Sequence, residues 1–92
     1  MKKDTLTDWE INKVLAKIKD PKFMAIFLKD LLTPAELAEI KRRLSIVKLL
    51  HQGLPQRVVA KKLKIAIATI TRGARMLKNP QGGFNQILKL KP

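Results

Sequence analysis

The stretch IATITRGARMLK, residues 67–78, places hydroxyl and cationic side chains at helical spacing. Threonine hydroxyls and arginine guanidinium groups are groups with which a short helix contacts bases and phosphates. The stretch is a poor helix former by itself, because it opens with β-branched residues and holds Gly73 near its middle. A glycine there lets another group come close to the helix backbone. We interpret the stretch as a helix suited to contact with a partner.

The chain has a net charge of +13, and this charge is distributed unevenly along it. Residues 1–39 contain seven lysines and seven acidic residues, whereas residues 40–92 contain eight lysines, five arginines and no Asp or Glu. A block of sequence in which every charged residue is positive favours an anionic partner, such as nucleic acid or a membrane surface. A merely basic soluble domain is the alternative. The block offers no carboxylate and no nucleophile paired with a base, so we do not expect an enzyme.

The absence of cysteine and of long apolar runs excludes several classes of protein. The chain has no cysteine, which rules out disulfides and thiolate metal sites and fits a reducing, cytoplasmic compartment. No apolar run approaches the ~20 residues of a membrane span, and MKKDTLTDWE has no apolar segment typical of a signal peptide. We therefore expect no membrane association, and we interpret the lone His51 as a helix-end residue without a metal.

Helical periodicity predicts one all-α domain over residues 1–92, with six short helices and no strand. Asp20-Pro21 separates the first two helices, and Thr33 with Glu36 forms a capping box that starts the third. Gly53 ends the third helix. We expect the helices at about 7–19, from 21 onwards, from 34 to before Gly53, at 55–63, at 67–78 and from about 84.

The same periodicity predicts which faces are buried. In the third helix the apolar stripe consists of Leu37, Ile40, Leu44, Val47 and Leu50. In the two helices that follow, the inward residues are Val58, Val59, Leu63, Ile70, Ala74 and Leu77.

Two short helices joined by a tight turn at 64–66 predict a helix-turn-helix at about 55–78. In that motif the second helix enters the major groove of DNA. An ordinary helical hairpin is the alternative. The residues assigned mainly to phosphates are Gln56, Arg57, Lys61 and Lys62. The candidates on the second helix, for base edges and nearby phosphates, are Ile67, Ala68, Thr69, Thr71 and Arg75.

The run from Ile67 to Gly73, IATITRG, resembles the recognition helix of the tryptophan repressor family. The likeness extends over about residues 28–78, with one residue fewer between Gly53 and Gln56 than the family has. Further residues agree in order and nearly in spacing: Leu32-Thr33-Pro34, Arg43, Ile46-Val47, Gln56-Arg57 and Leu63.

This resemblance implies an intertwined all-helical homodimer, in which helices of both subunits build one core. It implies that two recognition helices, one DNA turn apart, bind a palindromic operator. It also implies L-tryptophan as a corepressor lodged between the helix-turn-helix and the core, where it orients the recognition helices.

The family's corepressor site can be carried over residue by residue. Arg43 and Arg72 would flank the indole with their guanidinium planes, and Thr33 with Arg72 would hold the carboxylate. Carbonyl groups near residues 30–32 would accept hydrogen bonds from the ammonium group, and Val47 would pack on the ring beside Gly73. The complete predicted set is Leu32, Thr33, Arg43, Val47, Arg72, Gly73 and Met76.

Three positions depart from the family pattern. Met76 stands where the family has a small hydroxyl residue, and methionine offers no comparable hydrogen bond. Asp30 replaces an apolar residue near the same site, and the turn at 64–66 lacks the glycine that the family favours.

Three hypotheses follow from the sequence. The first is a dimeric repressor controlled by tryptophan, and the second is a DNA-binding protein of the same fold without tryptophan control. The third is an architectural protein that binds nucleic acid without sequence preference, through charge alone.

Overall fold

A computed structural model describes residues 9–90, and these residues form six helices and no strand, as the all-α prediction requires. Contacts divide the chain after Leu37 into an N-terminal unit and a C-terminal unit, which are described separately. None of the described helices is both long and apolar enough to cross a bilayer. The helices are α1 Ile11–Ala16, α2 Pro21–Leu31, α3 Pro34–His51, α4 Gln56–Leu63, α5 Ile67–Met76 and α6 Gly83–Leu88.

Helix α1 is shorter than the predicted span of 7–19, of which residues 7 and 8 lie outside the described part. The backbone N–H groups of Lys17 and Ile18 donate to carbonyls three residues back, at 3.2 and 3.1 Å, and these tight turns end the helix. Trp9 precedes the helix in a turn. Asp20 is extended (ψ 124°), as expected for a residue before proline, so α1 cannot continue into α2.

The starts of α2 and α3 agree with the sequence prediction. The Asp20 carboxylate accepts a hydrogen bond from the Lys22 N–H at 3.2 Å. In the capping box, the Glu36 N–H donates to the Thr33 hydroxyl at 3.1 Å, and the Thr33 N–H donates to Glu36 Oε1 at 2.9 Å. These bonds satisfy backbone donors that a helix end leaves free.

The N-terminal unit exposes its apolar surface. None of residues 9–37 is buried in the structure. Phe27 and Asp30 help to line an apolar cavity of about 300 Å³, together with residues of α1 and the turn before it. This surface therefore remains uncovered within the unit. The most exposed of its large apolar residues are Trp9, Ile11, Phe23, Ile26 and Leu31.

The C-terminal unit has a core made by three helices. Ile46 of α3, Val59 of α4 and Ile70 of α5 are almost wholly buried, with exposed fractions of 2%, 0% and 0%. The predicted packing of Ile70 on Val59, with Leu63 against the same cluster, is confirmed. Burying these side chains holds the two short helices against the long one. Around the core lie Leu49, Leu50, Leu54, Ala60, Leu63 and Ile65.

Two predictions about buried faces are wrong. In α3, Leu44 of the predicted stripe is 53% exposed, while Ile46, which was outside the stripe, is buried. In α4, Val58 is exposed and its neighbour Val59 points inward. Successive residues on a helix point about 100° apart, so residues one or two positions apart lie on different faces. Which of two such apolar residues is buried therefore depends on the face against which the other helices pack.

The ends of α3 and α4 share one backbone geometry. Gly53 has a φ of +94°, and the Leu54 N–H donates to the Leu49 carbonyl at 3.3 Å. After α4, Lys64 adopts a left-handed conformation (φ 57°, ψ 48°), and the Ile65 N–H donates to the Ala60 carbonyl at 3.0 Å. Both are helix terminations that glycine suits best. Because Lys64 has a Cβ atom, this left-handed conformation costs it about 1–2 kcal/mol, a cost that glycine would not have.

A side-chain amide fixes the chain reversal between α5 and α6. The Asn85 amide donates both hydrogens to main-chain carbonyls, to Leu77 at 2.9 Å and to Asn79 at 2.8 Å. The Asn79 carboxamide oxygen accepts a bond from the Gln81 N–H at 3.0 Å. These bonds place the first turn of α6 beside the end of α5.

Candidate functional site

A cavity of about 290 Å³ lies within the C-terminal unit, between α3, α5 and the start of α6. Helix α3 contributes side chains one turn apart, because its residues 39, 43, 46 and 47 fall on one face. Helix α5 contributes residues 69, 72, 73 and 76 by the same spacing. The cavity is lined by Glu39, Arg43, Ile46, Val47, Thr69, Arg72, Gly73, Met76 and Phe84.

Most of the predicted corepressor residues come together in this cavity. Arg43 and Arg72 are exposed at its wall, so their guanidinium groups are accessible to a ligand. Val47, which is 3% exposed, forms part of its apolar floor. The predicted residues that line the cavity are Arg43, Val47, Arg72, Gly73 and Met76.

The other two predicted residues, Leu32 and Thr33, belong to the N-terminal unit. Leu32 ends α2 with an extended backbone (ψ 146°), and its N–H donates to the Leu28 carbonyl at 2.9 Å. The Thr33 hydroxyl accepts the capping bond and still has a hydrogen to donate. Its role as a helix cap is therefore compatible with donation to a carboxylate.

Gly73 allows α5 to approach α3 closely. A Cβ atom on this residue would lie 2.8 Å from Ile46 Cγ2, closer than such atoms pack. Ile46 is buried and β-branched, so its Cγ2 cannot move without turning the whole side chain. Helix packing alone therefore explains a glycine at this position, and the same missing side chain leaves space at the cavity.

Sequence reasoning missed three residues of the cavity and assigned a fourth elsewhere. Glu39 and Ile46 lie four residues before and three residues after Arg43, a helical spacing that would have pointed to them. Phe84 gives no such signal, because its position depends on the chain reversal before α6. Thr69, assigned to DNA, is only partly exposed and lines the cavity.

The residues predicted to contact DNA lie on the surface of α4 and α5. Apart from Thr69 they are all exposed. Within residues 9–90 the ion pairs are those of Glu10 and Glu39 with Lys13, Arg42 and Arg43, so none involves the cations of this surface. Among the described residues the surface is therefore positive and open to an anion. Its exposed members are Gln56, Arg57, Lys61, Lys62, Ile67, Ala68, Thr71 and Arg75.

Thr71 links the two short helices. Its Oγ1 lies 2.8 Å from Gln56 Oε1 and 3.0 Å from the Ile67 carbonyl oxygen, so the hydroxyl donates to one of these acceptors. When the Gln56 oxygen accepts, its NH₂ group remains free to donate outward. A donor held in this way suits a phosphate oxygen or an acceptor on a base edge.

The N-terminal ends of α4 and α5 lack side-chain caps. Pro55 and Ala66 occupy the capping positions, and neither makes a side-chain bond to the helix. The first N–H groups of each helix are left for another acceptor, and the helix dipole favours an anion there. Within residues 9–90, no cluster of three metal-ligating side chains is present.

Comparison with known proteins gives the chain a family context. Residues 8–91 match the model of a family described as Trp repressor protein. A Trp operon repressor homolog of Chlamydia trachomatis is 31% identical over 91 residues, which cover 97% of each chain. One of Chlamydia caviae is 37% identical over 84% of this chain and 77% of its own.

Other relatives match over a shorter region. A Trp operon repressor homolog of Actinobacillus succinogenes is 49% identical over 53 residues, which are 56% of this chain and 52% of the relative. The chain thus spans about half the length of that relative, and 63% of the Haemophilus influenzae proteins that it matches. No solved structure is matched significantly.

Proposed function

This chain belongs to the Trp repressor protein family, and on that premise we propose that it is a dimeric, DNA-binding transcriptional repressor controlled by L-tryptophan. The family is one of DNA-binding regulators and not of enzymes. Relatives carry the name Trp operon repressor homolog. A protein with this function would work on DNA in the cytoplasm.

The observation that carries the proposal is the cavity beside α5, the second of the two short helices. It combines two guanidinium groups, from Arg43 and Arg72, with an apolar floor and a glycine. Arginine planes stack well on an aromatic ring and pair with a carboxylate, and tryptophan has both groups. Because α5 forms one wall, a ligand bound there would hold the proposed recognition helix in place. The helix-turn-helix is thus the element that the ligand controls.

Three features of α4 and α5 support DNA binding. The cations of α4 and α5 form no ion pair among the described residues, and the first N–H groups of both helices lack side-chain caps. When the Gln56 oxygen accepts the Thr71 hydroxyl, the Gln56 NH₂ group is free to donate to DNA. Cations and free helix N-termini bind phosphates, while residues 67–71 at the start of α5 are suited to base edges.

A homodimer is supported by the uncovered face of the N-terminal unit. Several large apolar side chains lie exposed on α1 and α2, and an apolar cavity opens among them. Exposed apolar surface on this scale is typical of an interface. A second copy would complete one core, making residues 1–92 a single domain of an intertwined dimer.

Calorimetric titration with L-tryptophan tests control by the ligand. We expect saturable heat, and loss of that heat in Arg72→Ala and in Arg43→Ala. Lys29→Ala, which removes an exposed cation of α2, is the matched control and should bind normally. No heat at about 1 mM ligand would leave a family member without tryptophan control.

DNA binding is tested by selecting duplexes from a randomised inverted-repeat pool and comparing the winner with its shuffled sequence. We expect a strong preference for the selected duplex, and we expect that preference to require tryptophan. For each tenfold rise in salt concentration, the association constant should fall by about 0.9 log units per phosphate contact. Equal affinity for both duplexes would support the third hypothesis, an architectural protein that relies on charge.

A further inference from the structure

The ligand cavity of the C-terminal unit contains charges of both signs. Its cationic side chains are Arg43 and Arg72, and the carboxylate among its lining residues is that of Glu39. Glu39 is the last acidic residue of the chain, at the boundary of the basic block. If the cavity bound only a carboxylic acid, this negative charge would weaken binding, because it repels the ligand carboxylate that the two cations attract.

Hydrogen-bond acceptors for a cationic group are scarce in the cavity. Its floor and walls are largely apolar, with Val47, Met76 and Phe84 among the lining residues. The methionine sulfur is only a weak acceptor, so side-chain acceptors come from Glu39 and Thr69. Of these two, Glu39 carries a charge, and charge-assisted hydrogen bonds are the stronger kind.

The two oxygens of Glu39 are engaged differently. Oε1 lies 2.7 Å from a terminal nitrogen of Arg42, which is a close ion pair. Oε2 lies 3.6 Å from Arg43 Nε, too far for a strong hydrogen bond. The side chain is 40% exposed. Oε2 therefore keeps lone pairs that a ligand can reach.

The spacing of these groups fits an α-amino acid. The ammonium and carboxylate of an amino acid are attached to one carbon, so their partners must lie side by side. Glu39 and Arg43 are adjacent on one face of α3, with 3.6 Å between Oε2 and Nε. Beyond Arg72 and Thr33, the carboxylate partners that the family implies, the outer edge of the Arg43 guanidinium remains open to the ligand carboxylate while its face is left for the ring.

We propose that Glu39 accepts a hydrogen bond from the ligand's ammonium group, so that the cavity selects an amino acid over the acid that lacks the amine. The inference rests on the proposed control by an amino acid. It adds a residue that determines specificity, beyond the arginines that hold the ring and the carboxylate.

Calorimetry with three indole compounds tests the role of Glu39. L-tryptophan has both charged groups, indole-3-propionate has the carboxylate alone, and tryptamine has the ammonium alone. The unaltered protein should bind tryptophan at least about tenfold more tightly than indole-3-propionate, as expected for one charged hydrogen bond. In Glu39→Gln, tryptophan and tryptamine should each bind about tenfold more weakly, while indole-3-propionate binds unchanged or more tightly.

Glu10→Gln is the matched control, since Glu10 is an exposed carboxylate of the N-terminal unit. It should leave the binding of all three compounds unchanged. Equal weakening of all three in Glu39→Gln would mean that Glu39 only positions Arg43, and would overturn the proposal. Unaltered tryptophan binding in Glu39→Gln would overturn it as well. If the unaltered protein bound none of the compounds, the proposed control by tryptophan would fail together with it.

Discussion

No apolar side chain among residues 9–37 of the N-terminal unit is buried, whereas the C-terminal unit buries a core of its own. Ile26 on α2 is 62% exposed, while Ile70 on α5 is wholly buried. Covering exposed apolar surface with another surface removes it from water, which lowers the free energy of the protein. On the proposed function, the two units differ in role: the first offers apolar surface for association with a second copy, and the second contains the cavity for the ligand.

The N-terminal ends of the four central helices, α2 to α5, differ in how they are capped. Helices α2 and α3 begin at Asp20 and Thr33, whose side chains accept bonds from the helix backbone. Helices α4 and α5 begin at Pro55 and Ala66, which make no such bond. Side-chain caps are thus present at the starts of α2 and α3 and absent at the starts of the two helices proposed to bind DNA. The starts of α1 and α6 also lack side-chain caps, so an uncapped end alone does not identify a phosphate-binding helix.

The largest effect should come from the core of the C-terminal unit. Ile70→Ala should lower the free energy of unfolding by about 2–5 kcal/mol, because it leaves a cavity where the side chain is wholly buried. Urea denaturation gives the value. Ile67→Ala, in the same helix at 47% exposure, is the control and should lose clearly less. Similar losses would mean that the core described here does not stabilise the unit.

The second prediction concerns association through the N-terminal unit. Ile26→Asp should raise the dissociation constant of the dimer at least about a hundredfold, since an unpaired carboxylate would enter an apolar interface. Sedimentation velocity over a range of concentrations gives the constant. Lys89→Asp adds the same group at an exposed position of the C-terminal unit and should leave the dimer intact. A protein that is monomeric before any substitution would remove the association task altogether.

A smaller effect is expected where α5 meets α3. Gly73→Ala should lower the free energy of unfolding by about 1 kcal/mol, because crowding against Ile46 outweighs the better helix propensity of alanine. Thermal and urea unfolding test this change. Gly83→Ala, where a Cβ would meet nothing within 4 Å, should be neutral or slightly stabilising. Equal stabilisation by both substitutions would show that the helices are not in close contact at Gly73.

The smallest effect has the opposite sign. Lys64→Gly should raise the free energy of unfolding by about 0.5–1 kcal/mol, because glycine adopts the left-handed conformation without strain. Lys62→Gly, inside α4, should lower it by about 1 kcal/mol. Chemical denaturation of the two variants side by side is sufficient. Destabilisation by Lys64→Gly would argue against a left-handed residue at the end of α4.

Features coded by neighbouring residues were predictable from the sequence. The capping box of Thr33 and Glu36, the Asp20-Pro21 boundary and the stop at Gly53 each need only a few adjacent positions, and the structure contains all three. The family resemblance likewise predicted cavity residues on both α3 and α5. Helical spacing relates the residues within each helix, but only the resemblance implied that the two helices line one cavity.

Features that depend on the packing of distant segments were not predictable. Ile46 and Leu44 are both apolar residues of α3, and only the position of α5 explains why Ile46 is buried. Phe84 reaches the cavity because the chain reverses after α5. Glu39 was counted with the mixed charges of the first half, although its side chain lines the cavity of the C-terminal unit.

The bonds of Asn85 have a consequence for how the cavity can change. Its amide attaches the first turn of α6 to two main-chain carbonyls, so the place of Phe84 is set by backbone atoms and not by the shape of its own ring. We therefore expect residue 84 to accept other apolar side chains without a change in the backbone around it. On the proposed function, such exchanges would alter which ligand the cavity prefers while the fold is retained.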